Sequence, residues 1–324
     1  MQYRGKTRGD FFIMEQKQTK AIEEITHFFL IQKTEESLKE STLSRYSFLC
    51  EKYIIPYFKN IAPDDFSNES IRNFIRYLKT EGLKGKPLAP KTINDIITLL
   101  IQIIKGYCKF EIDVKKPTYA QSEITVFTKK EYNKLKSHLA IGTDNKKLGI
   151  MIAMLTGIRI GELCALQWEN IDLQSGVINI NKTIQRVQIK DITAKTKIII
   201  DVPKSPASIR TIPLPEILLN KLNEFKSNSS TYILTNTKKY IEPRVYQRHF
   251  KSHLEACNIK DNNFHTIRHT FATRAIVKGI DIKSLSAILG HTDVSFTMKT
   301  YVHPSLEHKR VQIEKIADDF DDGD

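Results

Sequence analysis

Five residues able to handle a phosphate fall in one order along the chain, from Arg159 to Tyr301. Arg159 sits in Thr156-Gly157-Ile158-Arg159-Ile160-Gly161-Glu162-Leu163, His265 and Arg268 in His265-Thr266-Ile267-Arg268, His291 after Leu289-Gly290, and Tyr301 about ten residues further on. Two guanidinium forks can each hold a non-bridging phosphate oxygen, two imidazoles can move or donate protons, and a phenol can attack phosphorus and become covalently attached. The set suits breaking a phosphodiester, and the expected substrate is the backbone of DNA.

A phenol has an unperturbed pKa near ~10, so only about one in a thousand is ionised at neutral pH. Attack therefore needs a cationic pocket for the pentacoordinate transition state and a base for the phenolic proton. Arg159 and Arg268 supply permanent charge. His265 precedes Arg268 by one helical turn and shares its face, which makes it the expected base or proton carrier. The leaving 5′ oxygen must be protonated, and Lys204, in Asp201-Val202-Pro203-Lys204-Ser205-Pro206 between two expected strands, is the favoured acid, with Lys195 and Lys197 as rivals. Glu162 is expected to support the fold around Arg159 without touching substrate. Taken singly, Arg159 reads as a surface cation, His291 as a capping residue and Tyr301 as a half-buried aromatic. Their joint order and spacing carry the argument.

The rest of the chain must position these groups. At 324 residues it exceeds one average domain, and two cores are expected. The net charge of +13 is spread along both halves, as a long basic surface facing a polyanion requires. Cys50, Cys108, Cys164 and Cys257 are far apart and without zinc spacing, which fits reduced, buried thiols. No metal or cofactor is expected. The N-terminus lacks a signal-peptide core and no apolar run approaches the ~18 residues of a membrane span, so a cytoplasmic location with no membrane partner is expected.

Residues 1–20 read as a basic N-terminal extension and 21–116 as a helical domain. In the latter, Leu43, Tyr46, Cys50, Tyr53, Ile54 and Tyr57 keep helical spacing, with Ser41 or Thr42 as the expected cap. Ile71, Phe74, Ile75 and Leu78 face one way on a second helix, and Ile93, Ile96, Ile97, Leu100 and Ile104 on a third that starts near Pro90. Lys86 and Lys91 lie at that start, suited to phosphate contact. A linker is drawn at 117–123 and a second domain at 124–316, opened by the capping-box spacing Thr128-Lys129-Lys130-Glu131. A helix from Lys146 to Leu155 ends at Gly157. Strands are expected around 176–180, 198–202 and 209–213, forming one small antiparallel sheet. Helices then return to about Ile316, and 317–324 is an acidic tail. The expected class is mainly α with a small antiparallel β-sheet.

From about Glu40 to Ile316 the chain resembles the tyrosine recombinases of the phage-integrase family. The resemblance makes Arg159 the arginine of the TG-x-R-x-x-EL motif and Lys204 the general acid of a β-hairpin before an R-T-I-P-L strand. It makes His265 and Arg268 the H-x-x-R box, His291 the L-G-H histidine and Tyr301 the nucleophile. It implies a core-binding domain before the linker, including Lys39 to Tyr46, whence Arg45 joins Lys86 and Lys91 as DNA-binding candidates, and a mixed α+β catalytic domain after it.

It also implies a 3′-phosphotyrosyl intermediate with a free 5′ hydroxyl, formed without metal or nucleotide cofactor. Two rounds through a Holliday junction would follow, on a homo-tetramer holding two double-stranded DNA sites with short inverted repeats, in integration and excision of a mobile element. An accessory excisionase or DNA-bending protein is a further expected partner. Residues 1–20 are short for an arm-site domain, and 183–202 is long for a simple hairpin and reads as an inserted β element that contacts DNA. A helix over Pro304 to Ile316 is expected to dock on a neighbouring protomer or on its own domain. The alternatives are an Xer-type dimer resolvase, an inactive DNA-binding protein of the same fold, and a type IB topoisomerase.

Overall fold

The structure is a computed structural model and describes residues 22–61, 65–82, 85–106, 110–118, 124–189, 196–203 and 205–301, with 310, 313 and 314. It is mainly helical and divides into two compact units, one of the described residues in 1–122 and 187–197, the other of 123–186 and 198 onward. The expected N-terminal extension, acidic tail, Cys108 and most of the Pro304 to Ile316 segment lie outside the described residues.

The first unit holds α1 (Ile22–Glu35), α2 (Glu40–Leu49), α3 (Ile55–Phe58), α4 (Asn68–Thr80) and α5 (Pro90–Ile104). Between α2 and α3 the chain makes a π-helical turn, Cys50–Ile54, closed by the Ile55 amide on the Cys50 carbonyl. Pro56 explains it, because its ring would clash with the carbonyl four residues back and it has no N–H to donate; widening the turn lets the helix pass through the proline. The expected cap is corrected here. The helix begins at Glu40 behind Lys39, with no side-chain cap, and Ser41 and Thr42 lie inside its first turn.

Helix α4 starts with a capping box in which Ser67 and Ser70 satisfy one another's amides, and it buries Ile71, Phe74, Ile75 and Leu78 as their spacing requires. Helix α5 has Pro90 at its first turn, where a missing N–H costs nothing. It buries Ile93, Ile96, Ile97, Leu100 and Ile104, together with Leu99 and Ile103. Lys86, Lys91 and Arg45 are all exposed. Arg45 also reaches Asp95 at 3.5 Å.

The second unit holds α6 (Lys129–Ala140), α7 (Asn145–Thr156), α8 (Ile160–Ala165), β1 (Ile171–Asp172), β2 (Val177–Ile180), β3 (Thr183–Gln188, whose last two residues group with the first unit), β4 (Thr196–Asp201, likewise shared) and β5 (Arg210–Pro213). Next come α9 (Glu216–Phe225), α10 (Pro243–Ala256), α11 (His265–Val277), α12 (Ile282–Leu289) and α13 (Val294–Tyr301). The Thr128–Glu131 capping box forms at α6 as its spacing requires. The expected sheet needs correcting. Its members are β1, β2 and β5, antiparallel, with Ile178 opposite Ile212. The strand expected at 198–202 instead pairs, as β4, with β3 in a separate two-stranded ribbon. Leu148, Ile150, Ile152 and Ala153 of α7 are fully buried in the core of this unit.

Candidate active site

Two helix ends frame the site. Helix α7 stops at Gly157, whose φ of 67° is the left-handed conformation that ends a helix and that glycine adopts without Cβ strain. Helix α12 stops in the same way at Gly290, with φ 65°. A helix terminus leaves carbonyls without intrahelical partners, and a cation nearby also suits the negative end of the helix dipole. Here arginines fill that role. Arg268, on α11 and 2% exposed, donates to the Gly157 carbonyl at 2.9 Å and the Leu289 carbonyl at 2.7 Å. Arg159, which precedes α8, donates to the Gly290 carbonyl at 3.3 Å. Arg210, on β5, donates to the Ile288 carbonyl at 2.6 Å.

One carboxylate ties the last two together. Glu162 accepts from Arg159 at 2.8 Å and from Arg210 at 2.9 and 3.2 Å, and it also accepts from the Arg159 amide. Burial alone would raise its pKa, but the hydrogen bonds and charge of Arg210, then the charge of Arg159, outweigh burial and hold the carboxyl below the usual range. Glu162 thus supports Arg159, the part expected of it. Burial and the charge of Arg159 push Arg268 down to about 9, which leaves it cationic at neutral pH.

His291 follows Gly290 and is fixed at both nitrogens. Its Nε2 lies 2.8 Å from an Arg268 nitrogen and its Nδ1 lies 2.8 Å from the Thr297 hydroxyl. Arginine can only donate, so Nε2 is the acceptor and a neutral ring carries its proton on Nδ1, donated to Thr297. Burial, then Arg268, Arg159 and Arg210, push its pKa down to about 3.

Tyr301 ends α13 and is 7% exposed, packed with Ala272, Ala275, Leu285 and Leu289. Burial raises its pKa, while Arg268 and Arg159 pull the other way. The phenol bonds to His269, at 2.8 Å from Nδ1, rather than to His265. His265 stands edge-on to His269, ring centres 4.5 Å apart. Burial, then His269, Arg268 and Arg159, push His265 down to about 4. One side of His265 stays open to solvent, so screening tempers that shift; its direction leaves the ring neutral and able to accept a proton at neutral pH.

Five of the six expected catalytic residues, Arg159, His265, Arg268, His291 and Tyr301, therefore come together from α11, α13 and the ends of α7 and α12. Lys204 and its rival Lys195 lie outside the described residues, while Lys197 is on β4. Sequence reasoning missed Arg210, His269 and Thr297. His269 was signalled by its four-residue spacing from His265 and Arg210 by its place opening the R-T-I-P strand. Thr297 carried no signal of its own.

Residues 125–308 match the Phage integrase family, and the chain belongs to it. It is a tyrosine recombinase, of the class that cleaves DNA and transfers strands. Among curated proteins it is similar to a tyrosine recombinase XerC-like protein of Caldanaerobacter subterraneus subsp. tengcongensis, 29% identical over 273 residues that make up 78% of this chain and 65% of that protein. It is also similar to the ICEBs1 integrase of Bacillus subtilis, 23% identical over 300 residues, 86% of this chain and 78% of that one. The fold is shared with the Tn1549 transposon integrase solved in complex with transposon right end DNA, at a TM-score of 0.72 and 19% identity, covering 92% of this chain and 100% of the other. Among the described residues, no helix is long and apolar enough to cross a membrane.

Proposed function

We propose that this chain is a site-specific recombinase that cuts double-stranded DNA at short inverted-repeat core sites and serves integration and excision of a mobile element. The observation that carries the reading is a buried phenol, Tyr301, under the charge of Arg268 and Arg159, with Arg268 also bonded to His291 and one buried carboxylate, Glu162, set against three guanidinium groups. In this reading Arg159 and Arg268 hold the non-bridging oxygens of the scissile phosphate, and His265 and His291 serve its proton traffic. Tyr301 attacks phosphorus to give a 3′-phosphotyrosyl bond, and Lys204 protonates the departing 5′ oxygen. Reversal by the partner strand's 5′ hydroxyl completes the exchange, on a homo-tetramer spanning two sites. The first unit acts as the core-binding domain, with Lys86, Lys91 and Arg45 on backbone phosphates.

The test is covalent trapping. Nicked duplexes from the DNA flanking the gene are incubated with wild type and Tyr301→Phe, resolved under denaturing conditions and sequenced. A Tyr301-dependent adduct at one inverted repeat is expected; tight binding without an adduct would favour an inactive DNA-binding protein. The XerC-like relative favours a second reading, resolution of replicon dimers. An adduct that forms only at a chromosomal or plasmid dimer site, and not at element ends, would select it.

A further inference from the structure

We propose that His269, not His265, is the catalytic base that removes the phenolic proton of Tyr301. The proposal rests on the reading of Tyr301 as nucleophile. A base must lie within about 2.6–3.2 Å of the proton it takes, and His269 Nδ1 is 2.8 Å from the phenol oxygen. The neighbouring imidazoles are placed for other work. His291 is engaged at both nitrogens, with its one available lone pair, on Nε2, taken by Arg268 and its Nδ1–H given to Thr297, so it offers the phenol no acceptor. His265 stacks edge-on against the far partner of that hydrogen bond and meets solvent on its other side.

The two reacting groups are also held in place from independent directions. His269 is on α11, directly after Arg268, whose two carbonyl bonds fix that turn of the helix. Tyr301 is on α13 and packed into an apolar cluster. Burial and the charge of Arg268 keep His269 neutral, which preserves the lone pair that accepts.

The step balances. As the Tyr301 oxygen bonds to phosphorus, its proton passes to His269 Nδ1, giving an imidazolium that carries Nε2–H throughout. The bond from phosphorus to the 5′ oxygen breaks, and that oxygen takes its proton from the acid assigned to Lys204. In the religation step His269 returns its proton to the phenolate. Between reactions the same hydrogen bond keeps the phenol docked.

The experiment is single-turnover cleavage of a nicked inverted-repeat duplex by full-length wild type, His269→Ala, His269→Asn, His265→Ala and Tyr301→Phe, with DNA affinity measured alongside. Each is run on the ordinary substrate and on one with sulfur at the bridging 5′ position, whose thiolate leaves without an acid. The ionisable groups around His269 are His265 and Arg268 on its own helix and Tyr301 on α13, with Arg159 acting on the phenol, so pH profiles are compared as variant over wild type.

The expected result is retained DNA binding with cleavage by His269→Ala lowered about 100-fold or more on both substrates, its rate climbing with pH where wild type levels off. His269→Asn, which offers a hydrogen-bond acceptor but no base, is expected to be equally slow. Recovery by His269→Asn to the wild-type rate, rescue of His269→Ala by the sulfur substrate, or unimpaired cleavage by His269→Ala would each overturn the assignment. Absence of a Tyr301-dependent adduct in wild type would instead overturn the recombinase reading itself.

Discussion

Glu162 sets the charge balance at the centre of the site. Its side chain is 3% exposed and faces Arg210, itself 6% exposed, so replacing it by glutamine leaves buried guanidinium charge without its counterion. Glu162→Gln is expected to lose about 3–5 kcal/mol of stability in urea unfolding, far more than an exposed pair would. The pH dependence runs in one direction. The Glu162 carboxyl has a folded pKa below its unfolded value near ~4.3, so its contribution is present above that pH and lost as pH falls through the folded value. His265 and His291, at about 4 and about 3 against ~6.5 unfolded, bind fewer protons when folded, so their contribution is also complete above about pH 6.5 and is lost as pH falls below it. Thermal unfolding should therefore be level above about pH 7 and fall steadily toward about pH 4.5, less steeply in His291→Gln; a level profile across that range would contradict the arrangement. The residues legible in the sequence were those with a side chain chemistry tied to a glycine or histidine signature. Arg210 was marked only by its place at the start of the R-T-I-P strand, and Thr297 escaped because it acts through His291, and a partner's partner leaves no spacing to read.

At the scale of elements, the site combines one face of α11 with the C-terminal ends of α7 and α12. Gly157 shows how tightly. A Cβ there would meet Phe271 at 2.6 Å and Leu289 at 2.8 Å, and the φ of 67° strains any other residue. Gly157→Ala is expected to cost about 2–4 kcal/mol in chemical denaturation, from left-handed strain and overpacking together. It should slow cleavage as well, since the displaced Gly157 carbonyl holds Arg268. Helices α4, α5, α6 and α7 were legible because their apolar periodicity and caps agree. The strand at 196–201 was legible as a strand but not in its partner: an apolar alternation reports one buried face, and both a sheet and a ribbon supply that. The two-residue β1 was too short to leave a pattern. A proline usually ends a helix, whereas the π-turn carries this one through Pro56.

At the scale of the whole molecule, length pointed to more than one core, and the chain does divide into two units; the basic charge pointed to DNA only because it coincided with the phosphate-handling residues. That the ribbon's described residues Val187, Gln188, Thr196 and Lys197 group with the first unit was beyond the sequence, because it depends on contacts remote along the chain. The arginines at the helix ends have a consequence for the chain in the absence of DNA. Arg159 and Arg210 share the buried Glu162 carboxylate, and buried Arg268 feels the charge of both arginines and of Glu162, so three like charges stand close around one counterion. An anion that enters relieves this repulsion only in the folded state, and by linkage it must then stabilise folding; a ligand at a hundred times its dissociation constant adds about 2.7 kcal/mol. Inorganic phosphate should accordingly raise the melting temperature above that in sodium chloride of equal ionic strength, and the difference should vanish in Arg268→Met. With that outcome, the recombinase would be stabilised by the ligand class it cuts, and its resistance to unfolding would report phosphate occupancy before any strand is broken.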